Sequence, residues 1–157
     1  MTTPIQIWTR ATWHSAFKCG GWAFVRSGAD LTGQAGGDRN TSPHRMVLAG
    51  LTASLKDLPP GPIDLDPGDR TIARITAKIL SGAELSDAER PSEDLDLWAQ
   101  LTTGFKGRRV TFSLGALSPG GPAAFAQAWA DLAMEKAKAA GPFTAAIPKP
   151  NLARVKI

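Results

Sequence analysis

The alternation of apolar and polar residues predicts three strands at the start of the chain. Residues 5–11 alternate, and residues 20–25 and 30–35 give two further strands, the first of which opens with a pair of glycines. The segment 12–19 between the first two strands predicts a loop. Because the connections are short, we expect the three strands to form an antiparallel meander.

Apolar residues at helical spacing follow, interrupted by two shorter strands. The segments with this spacing are 43–58, 70–82, 95–104 and 122–140. Strands are predicted at 63–66 and 109–114. The strand at 63–66 is reached through a helix, which favours parallel pairing with the strand at 5–11. Residues 83–94 predict an acidic surface loop.

This order of elements predicts an α/β (α+β) fold. We expect a five-stranded mixed sheet, with three antiparallel strands plus two parallel ones, and helices on both faces. A chain of 157 residues is long enough for one domain, which we assign to 1–142. Residues 143–157 contain prolines and predict an irregular or extended C-terminal tail.

Charge is unevenly distributed along the chain. Residues 1–50 carry a net charge of +3, residues 51–100 one of −5 and residues 101–157 one of +6, which gives +4 overall. Basic ends around an acidic middle permit a nucleic-acid or a protein partner. The single cysteine, and the lack of both a signal-peptide pattern and an apolar run of about 20 residues, predict a cytoplasmic protein without a membrane segment.

Five short sequence matches, which occur within this order of elements, indicate a resemblance to a known family. We call these matches echoes. The echoes are Ile7-Trp8-Thr9, Gly20-Gly21-Trp22-Ala23, Arg45-Met46-Val47-Leu48, Asp96-Leu97-Trp98 and Asp131-Leu132-Ala133. Each is only a few residues long, but their order and spacing over most of 5–141 resemble type 1 ribonuclease H and the wider ribonuclease H-like fold. The resemblance implies a mixed sheet of the kind predicted above.

The resemblance also implies a metal site that this sequence does not reproduce. In that family, four carboxylates bind two Mg²⁺ ions that flank the scissile phosphate of the RNA strand in an RNA/DNA hybrid. The corresponding positions here hold Arg10, Val47, Gly68 and Ala130. Arg10 puts a fixed positive charge where a divalent cation would sit, and Val47 offers no ligand atom. We therefore expect no cofactor, and the sequence favours a pseudoenzyme of the ribonuclease H type over an enzyme.

Three carboxylates adjoin the lost positions. Asp66 and Asp69 lie on either side of one of them, and Asp131 follows another. Neighbours along a strand or a helix point in different directions, so these residues are poor replacements as metal ligands. We expect Arg10 instead to form an ion pair with Asp66 or Asp131 at the end of the sheet.

The sequence keeps the order of elements of the family but not its four carboxylates. This combination favours a protein that binds nucleic acid without cleaving it. The ligand would be RNA/DNA hybrid or a single strand. The residues predicted to contact it are Arg10, Trp13, Lys18, Arg45, Lys106, Arg108 and Arg109. Trp13 lies in the predicted loop after the first strand, which makes it the one tryptophan expected to be exposed for base stacking.

Two other functions stay open from the sequence. The first is a protein-interaction or structural module that uses the acidic segment 83–94 and the C-terminal tail as contact surfaces. The second is a weak Mg²⁺-dependent ribonuclease for RNA/DNA hybrids, with Asp66, Asp69 and Asp131 as relocated ligands. Magnesium would be a cofactor only in this last case.

Overall fold

A mixed β-sheet forms the centre of the protein in the computed structural model, which describes residues 3–115 and 117–156. The strands found in these residues are β1 (Ile5–His14), β2 (Cys19–Arg26), β3 (Thr32–Asp38), β4 (Ile63–Asp66), β5 (Val110–Phe112) and β6 (Phe143–Ala146). Their order in the sheet is β5-β4-β1-β2-β3-β6. The first three strands form the predicted antiparallel meander, β4 pairs in parallel with β1, and β5 pairs in parallel with β4. The predicted mixed sheet is confirmed, with six strands in the described residues where five were expected.

Two of the five helices found in the described residues begin after a residue whose side chain caps them. They are α1 (Pro43–Ser54), α2 (Arg70–Ser81), α3 (Leu95–Phe105), α4 (Pro122–Ala140) and the short α5 (Lys149–Leu152). The Ser42 hydroxyl accepts a hydrogen bond from the Arg45 N–H, and the Asp69 carboxylate accepts one from the Ile72 N–H. The four longer helices match the predicted ones, although α1 ends a turn earlier. Among the described residues, no helix combines the length and the apolar character needed to cross a bilayer.

The structure differs from the sequence prediction in the loop after the first strand and adds a strand to the C-terminal tail. β1 continues to His14, so Trp13 lies in a strand and only a tight turn at 15–18 closes the hairpin with β2. The tail is not wholly irregular either, because Phe143–Ala146 forms β6, which pairs antiparallel with β3. β6 covers backbone groups of β3 that would otherwise form an open sheet edge. The fold therefore extends beyond the boundary at 142.

The two faces of the sheet are packed differently. On one face, α1 and α3 bury large apolar side chains such as Leu48, Leu51 and Leu101. On the other face, α4 lays a stripe of buried alanines directly on β1, β2 and β3. Gly21 allows this close approach, because a Cβ atom there would collide with the backbone carbonyl of Ala130.

Candidate functional site

An ion pair between Arg10 and Asp66 lies where β4 ends beside β1. The parallel register places Trp8 opposite Asp66, so the Arg10 side chain, two residues further along β1, reaches the Asp66 carboxylate. Nη1 lies 3.0 Å from Oδ1 and Nη2 lies 3.1 Å from Oδ2, which is a bidentate arrangement. Arg10 is 8% exposed and Asp66 is 3% exposed. The predicted ion pair of Arg10 is confirmed, with Asp66 as its partner.

The carboxylate of Asp66 is saturated by hydrogen bonds. Besides the two hydrogen bonds from the Arg10 guanidinium, Oδ1 accepts one from the Gly68 N–H (3.1 Å) and Oδ2 accepts one from the Gly115 N–H (2.9 Å). Each oxygen therefore accepts two hydrogen bonds, and a carboxylate has about four lone-pair sites in all. Arg10 also donates from Nη1 to the Thr9 carbonyl (2.7 Å). No lone pair of Asp66 remains for a metal ion in this arrangement.

Gly68 makes room for the Arg10 side chain. Its backbone has a φ of +66°, which favours glycine, and a Cβ atom there would lie 2.8 Å from Arg10 Cδ and 2.9 Å from Nη1. Asp66, two residues earlier, is the carboxylate that ends β4. Arg10 and Gly68 therefore fit each other, and a side chain at 68 would displace the guanidinium.

The two remaining positions at which the resemblance places carboxylates carry apolar side chains in packed surroundings. Val47 is half-buried on α1, where it packs against the aliphatic core. Ala130 is fully buried on α4, in the interface with β2. Neither offers an oxygen atom from its side chain.

The three carboxylates that adjoin these positions are engaged separately. Asp66 holds Arg10, Asp69 caps α2, and the exposed Asp131 accepts a hydrogen bond from Gln127 on the same helix. Among the described residues, no group of three or more histidine, cysteine, aspartate or glutamate side chains is placed to hold a metal ion. Two Mg²⁺ ions need several free oxygen ligands, so this set of side chains does not fit them.

Comparisons with solved structures identify the fold. The chain is similar to the N-terminal RNase H domain of a Mycobacterium tuberculosis protein solved as a fusion with maltose-binding protein, at 17% identity over 88% of this chain and 97% of that chain, with a TM-score of 0.61. It is similar to LC11-RNase H1, solved in complex with RNA/DNA hybrid, at 14% identity over 85% of this chain and 98% of that chain, with a TM-score of 0.65. The protein has the ribonuclease H fold.

A third solved structure agrees with this assignment. LC9-RNase H1, a type 1 RNase H with the type 2 active-site motif, matches at 13% identity over 92% of this chain and 79% of that chain, with a TM-score of 0.55. No protein-family profile matches the sequence, and no curated protein matches it either. At these identities the comparisons establish the fold alone.

On this ribonuclease H fold, the predicted nucleic-acid contacts fall at opposite ends of β1. Trp13 and Lys18 lie at the end where the β1–β2 hairpin turns. The segment 106–109 lies at the other end, because Ile63 donates a hydrogen bond to the Arg109 carbonyl and Ile5 donates one to the Pro62 carbonyl. A ten-residue strand spans roughly 30 Å. The predicted residues therefore do not form one surface.

Arg108 has a structural role that the sequence did not indicate. Its guanidinium donates to the carbonyls of Leu58 (2.7 Å), Pro59 (2.6 Å) and Gly61 (3.2 Å). These contacts fix the loop between α1 and β4 and direct the charge into the protein. Lys106 and Arg109 remain exposed at this end of the sheet.

Arg45 is held by two carboxylates at the start of α3. It makes a bidentate pair with Asp96 (3.1 and 3.0 Å) and a further contact with Asp94 (3.0 Å). The hydrogen bonds with Asp96 and then Asp94 raise the pKa of Arg45, and the same hydrogen bond with Arg45 lowers the pKa of Asp96. Arg45 is therefore a link between α1 and α3 whose charge is balanced within the chain.

The hairpin end brings together side chains that the sequence analysis did not connect. Trp13 is half-buried and its Nε1 donates to the Thr41 carbonyl (3.0 Å), whereas Phe17 in the turn is 60% exposed. Lys138, near the end of α4, lies over the Phe17 ring at 4.6 Å from the centroid. The sequence signal for Phe17 is a large aromatic residue in the predicted loop 12–19, directly before Lys18.

The acidic segment 83–94 is fastened to α2. Glu89 accepts hydrogen bonds from Lys78 Nζ (2.8 Å) and from the Ser86 N–H (3.0 Å). These bonds, with Lys78 contributing most, lower the pKa of Glu89 to about 2. Part of the acidic charge is thus neutralised within the chain, which weakens this segment as a contact surface for a basic protein partner.

Proposed function

We propose that this protein binds nucleic acid, as RNA/DNA hybrid or as a single strand, and does not cleave it by metal catalysis. The observation that carries the non-catalytic part of the proposal is the buried bidentate pair of Arg10 and Asp66, in which the carboxylate has no free lone pair. The protein would be a ribonuclease H-like pseudoenzyme without a bound metal.

Electrostatics support the absence of a metal at this site. A guanidinium stays protonated throughout the physiological pH range. A divalent cation about 4 Å from it would be repelled by about 8 kcal/mol at an effective dielectric constant of about 20. Asp66, which in another setting would attract the cation, is already neutralised by Arg10. Metal binding would first require this pair to open.

Charge and fold support nucleic acid as the partner. The chain has a net charge of +4 and a pI near 9.6, which favours polyanions. LC11-RNase H1, which shares the fold, was solved with RNA/DNA hybrid. Lys18 and Arg39 are exposed cations at the hairpin end, where they are available to phosphates.

The proposal is tested by measuring binding and cleavage on the same labelled RNA/DNA hybrid and on its separate strands. We expect binding that weakens as salt rises, that is unchanged by EDTA, and that leaves the RNA intact in Mg²⁺ or Mn²⁺. Undetectable affinity for hybrid and for both strands would remove nucleic acid as the partner.

Cleavage of the hybrid would overturn the non-catalytic part of the proposal. The informative variant is then Asp66→Asn, with Asp87→Asn as a matched control because Asp87 is an exposed carboxylate. Activity that disappears in Asp66→Asn and persists in Asp87→Asn would establish a nuclease with relocated ligands.

A further inference from the structure

Aromatic and basic side chains from three separate segments meet at the hairpin end of the sheet. We call this set the hairpin-end cluster, and its members are Trp13, His14, Phe17, Lys18, Arg39 and Lys138. Phe17 occupies the centre of the cluster. The centroid of its ring lies 5.1 Å from the centroid of the His14 ring and 4.6 Å from Lys138 Nζ. The ring is nevertheless 60% exposed. It is thus held in place while much of its surface faces solvent.

Hydrogen bonds fix the segments that carry the cluster. The Thr41 N–H donates to the Lys18 carbonyl (2.9 Å), which ties the β1–β2 turn to the segment after β3. Arg39 donates from Nε to the Ala137 carbonyl and from Nη2 to the Lys138 carbonyl, both at 3.0 Å. The end of α4 is thereby joined to the same segment. The cluster is preorganised, so little ordering would be needed on binding.

The charges of the cluster are predominantly positive. Lys18, Arg39 and Lys138 contribute three cations, whereas the nearby acids are Glu135, which lies 3.9 Å from Lys138 Nζ, and Asp38, which accepts the Arg39 N–H. Arg39 Nη1 makes no hydrogen bond within the described part of the chain. An anion would therefore find donors here that the fold does not use.

Two buried polar atoms, one in the hairpin-end cluster and one in the segment bonded to it, lack hydrogen-bond partners among the described residues. They are His14 Nδ1 and Thr41 Oγ1. A buried polar atom without a hydrogen bond is costly, and in native proteins it commonly marks a place where water or a ligand binds. His14 contacts the Phe17 ring, and the Thr41 N–H donates a hydrogen bond to the carbonyl of Lys18, the next residue after Phe17.

We propose that the hairpin-end cluster binds single-stranded nucleic acid. One base stacks on the exposed Phe17 side chain, and Lys18, Arg39 and Lys138 contact the adjoining phosphates. A single strand fits better than a duplex, because a base must be unstacked from its neighbours to lie on an aromatic ring. This inference rests on the proposed nucleic-acid function and assigns its contact surface and the form of its ligand.

Fluorescence anisotropy with labelled single-stranded RNA, single-stranded DNA and RNA/DNA hybrid, all in EDTA, tests the inference. We expect Phe17→Ala to weaken binding of the single strands about tenfold and Phe17→Trp to restore it. The matched control is Leu132→Ala, because Leu132 is another apolar residue that is 61% exposed, and it lies on the helix that carries Lys138. This control should leave binding unchanged.

The proposed phosphate contacts are tested by the salt dependence of binding, with a control lysine away from the hairpin end. Lys138→Gln should lower the slope of log affinity against log salt by about 0.7, which corresponds to one phosphate contact on a single strand. Lys56→Gln removes an exposed charge away from the hairpin end, because the Lys56 carbonyl accepts a hydrogen bond from Arg26, which lies opposite Ile7; this variant should not change the slope.

The outcomes separate this inference from the function on which it rests. No binding of any of the three probes by the unaltered protein means that the proposed function fails. Binding of the hybrid alone, or equal binding by Phe17→Ala and Leu132→Ala, overturns the assignment of the hairpin-end cluster and leaves a nucleic-acid function intact.

Discussion

Two arginines at positions linked to the resemblance are both paired with aspartate, but in opposite surroundings. Arg10 and Asp66 are buried in the sheet, and backbone groups complete their hydrogen bonds. Arg45 is 35% exposed and its partner Asp96 is 56% exposed. The geometry of the two pairs is nearly the same, with nitrogen–oxygen distances between 3.0 and 3.1 Å.

The two pairs show that contacts of similar geometry contribute differently to stability when one is buried and the other is exposed. Water screens the Arg45 pair, so its loss leaves two solvated groups. The Arg10 pair is buried, so removing one partner leaves the other charge in the protein interior without compensation. We infer that the Arg10 pair fixes the centre of the candidate site, whereas the Arg45 pair is an adjustable link between helices.

The largest expected effect follows from Arg10→Met. It leaves the Asp66 carboxylate buried with only two backbone donors, and we expect the free energy of unfolding to fall by about 3–5 kcal/mol in urea titrations. The control is the double variant Arg10→Met/Asp66→Leu, which removes both charges and should recover much of the loss. A loss below about 1 kcal/mol for the single variant would mean that Asp66 is solvated or protonated there.

A smaller effect is expected for Gly68→Ala, which places a Cβ atom 2.8 Å from Arg10 Cδ. Strain at the positive φ adds to this collision, and together they should cost about 2–3 kcal/mol. Gly82→Ala is the matched control, because Gly82 has a φ of +74° with nothing within 4 Å of the added atom. Equal losses in the two variants would show that Arg10 is not held against Gly68.

Breaking the exposed pair of Arg45 and Asp96 should reduce the stability of the protein far less than breaking the buried pair. Arg45→Ala is expected to lower the melting temperature by no more than about 3 °C, and high salt should reduce that difference. Thermal denaturation at low and high ionic strength provides the measurement. A shift comparable to that of Arg10→Met would show that exposure does not distinguish the two pairs.

The smallest effect concerns the pH dependence of the fastened acidic segment. The pKa of Glu89 is lowered to about 2 by its hydrogen bonds with Lys78 and Ser86. The stability that the ionised Glu89 contributes is therefore fully present above the ordinary glutamate pKa near 4.5, and it is lost as pH falls from there towards 2. Hydrogen exchange of the Ser86 amide, corrected for its intrinsic pH dependence, should show decreasing protection over that range. In Glu89→Gln the protection of the Ser86 amide should no longer depend on pH. A pH dependence that persists in this variant would mean that another group titrates.

Local signals account for most of what the sequence predicted correctly. Ser42, Asp69 and Gly82 mark helix ends because caps act on backbone groups within a few residues. The order of strands followed from apolar spacing and from the short connections in the first hairpins. β6 was missed because its pairing with β3 depends on where α4 returns the chain, which spacing alone does not specify.

The candidate site depended on contacts between residues that are distant in sequence. Arg10 had two possible partners, and only the parallel register of β1 and β4 selects Asp66 over Asp131. Arg108 belonged to a basic run that resembled a phosphate site. It turns inward because the loop at 58–61 contains two prolines and leaves carbonyls that need donors.

The most direct test of the central claim is a Mn²⁺ titration of the unaltered protein, with free Mn²⁺ followed by electron paramagnetic resonance. Because Arg10 saturates the Asp66 carboxylate, we expect the protein to leave the free Mn²⁺ signal unchanged through the millimolar range. Stoichiometric binding that disappears in Asp66→Asn and persists in Asp87→Asn would contradict the claim, because it would show that Asp66 serves as a metal ligand despite Arg10.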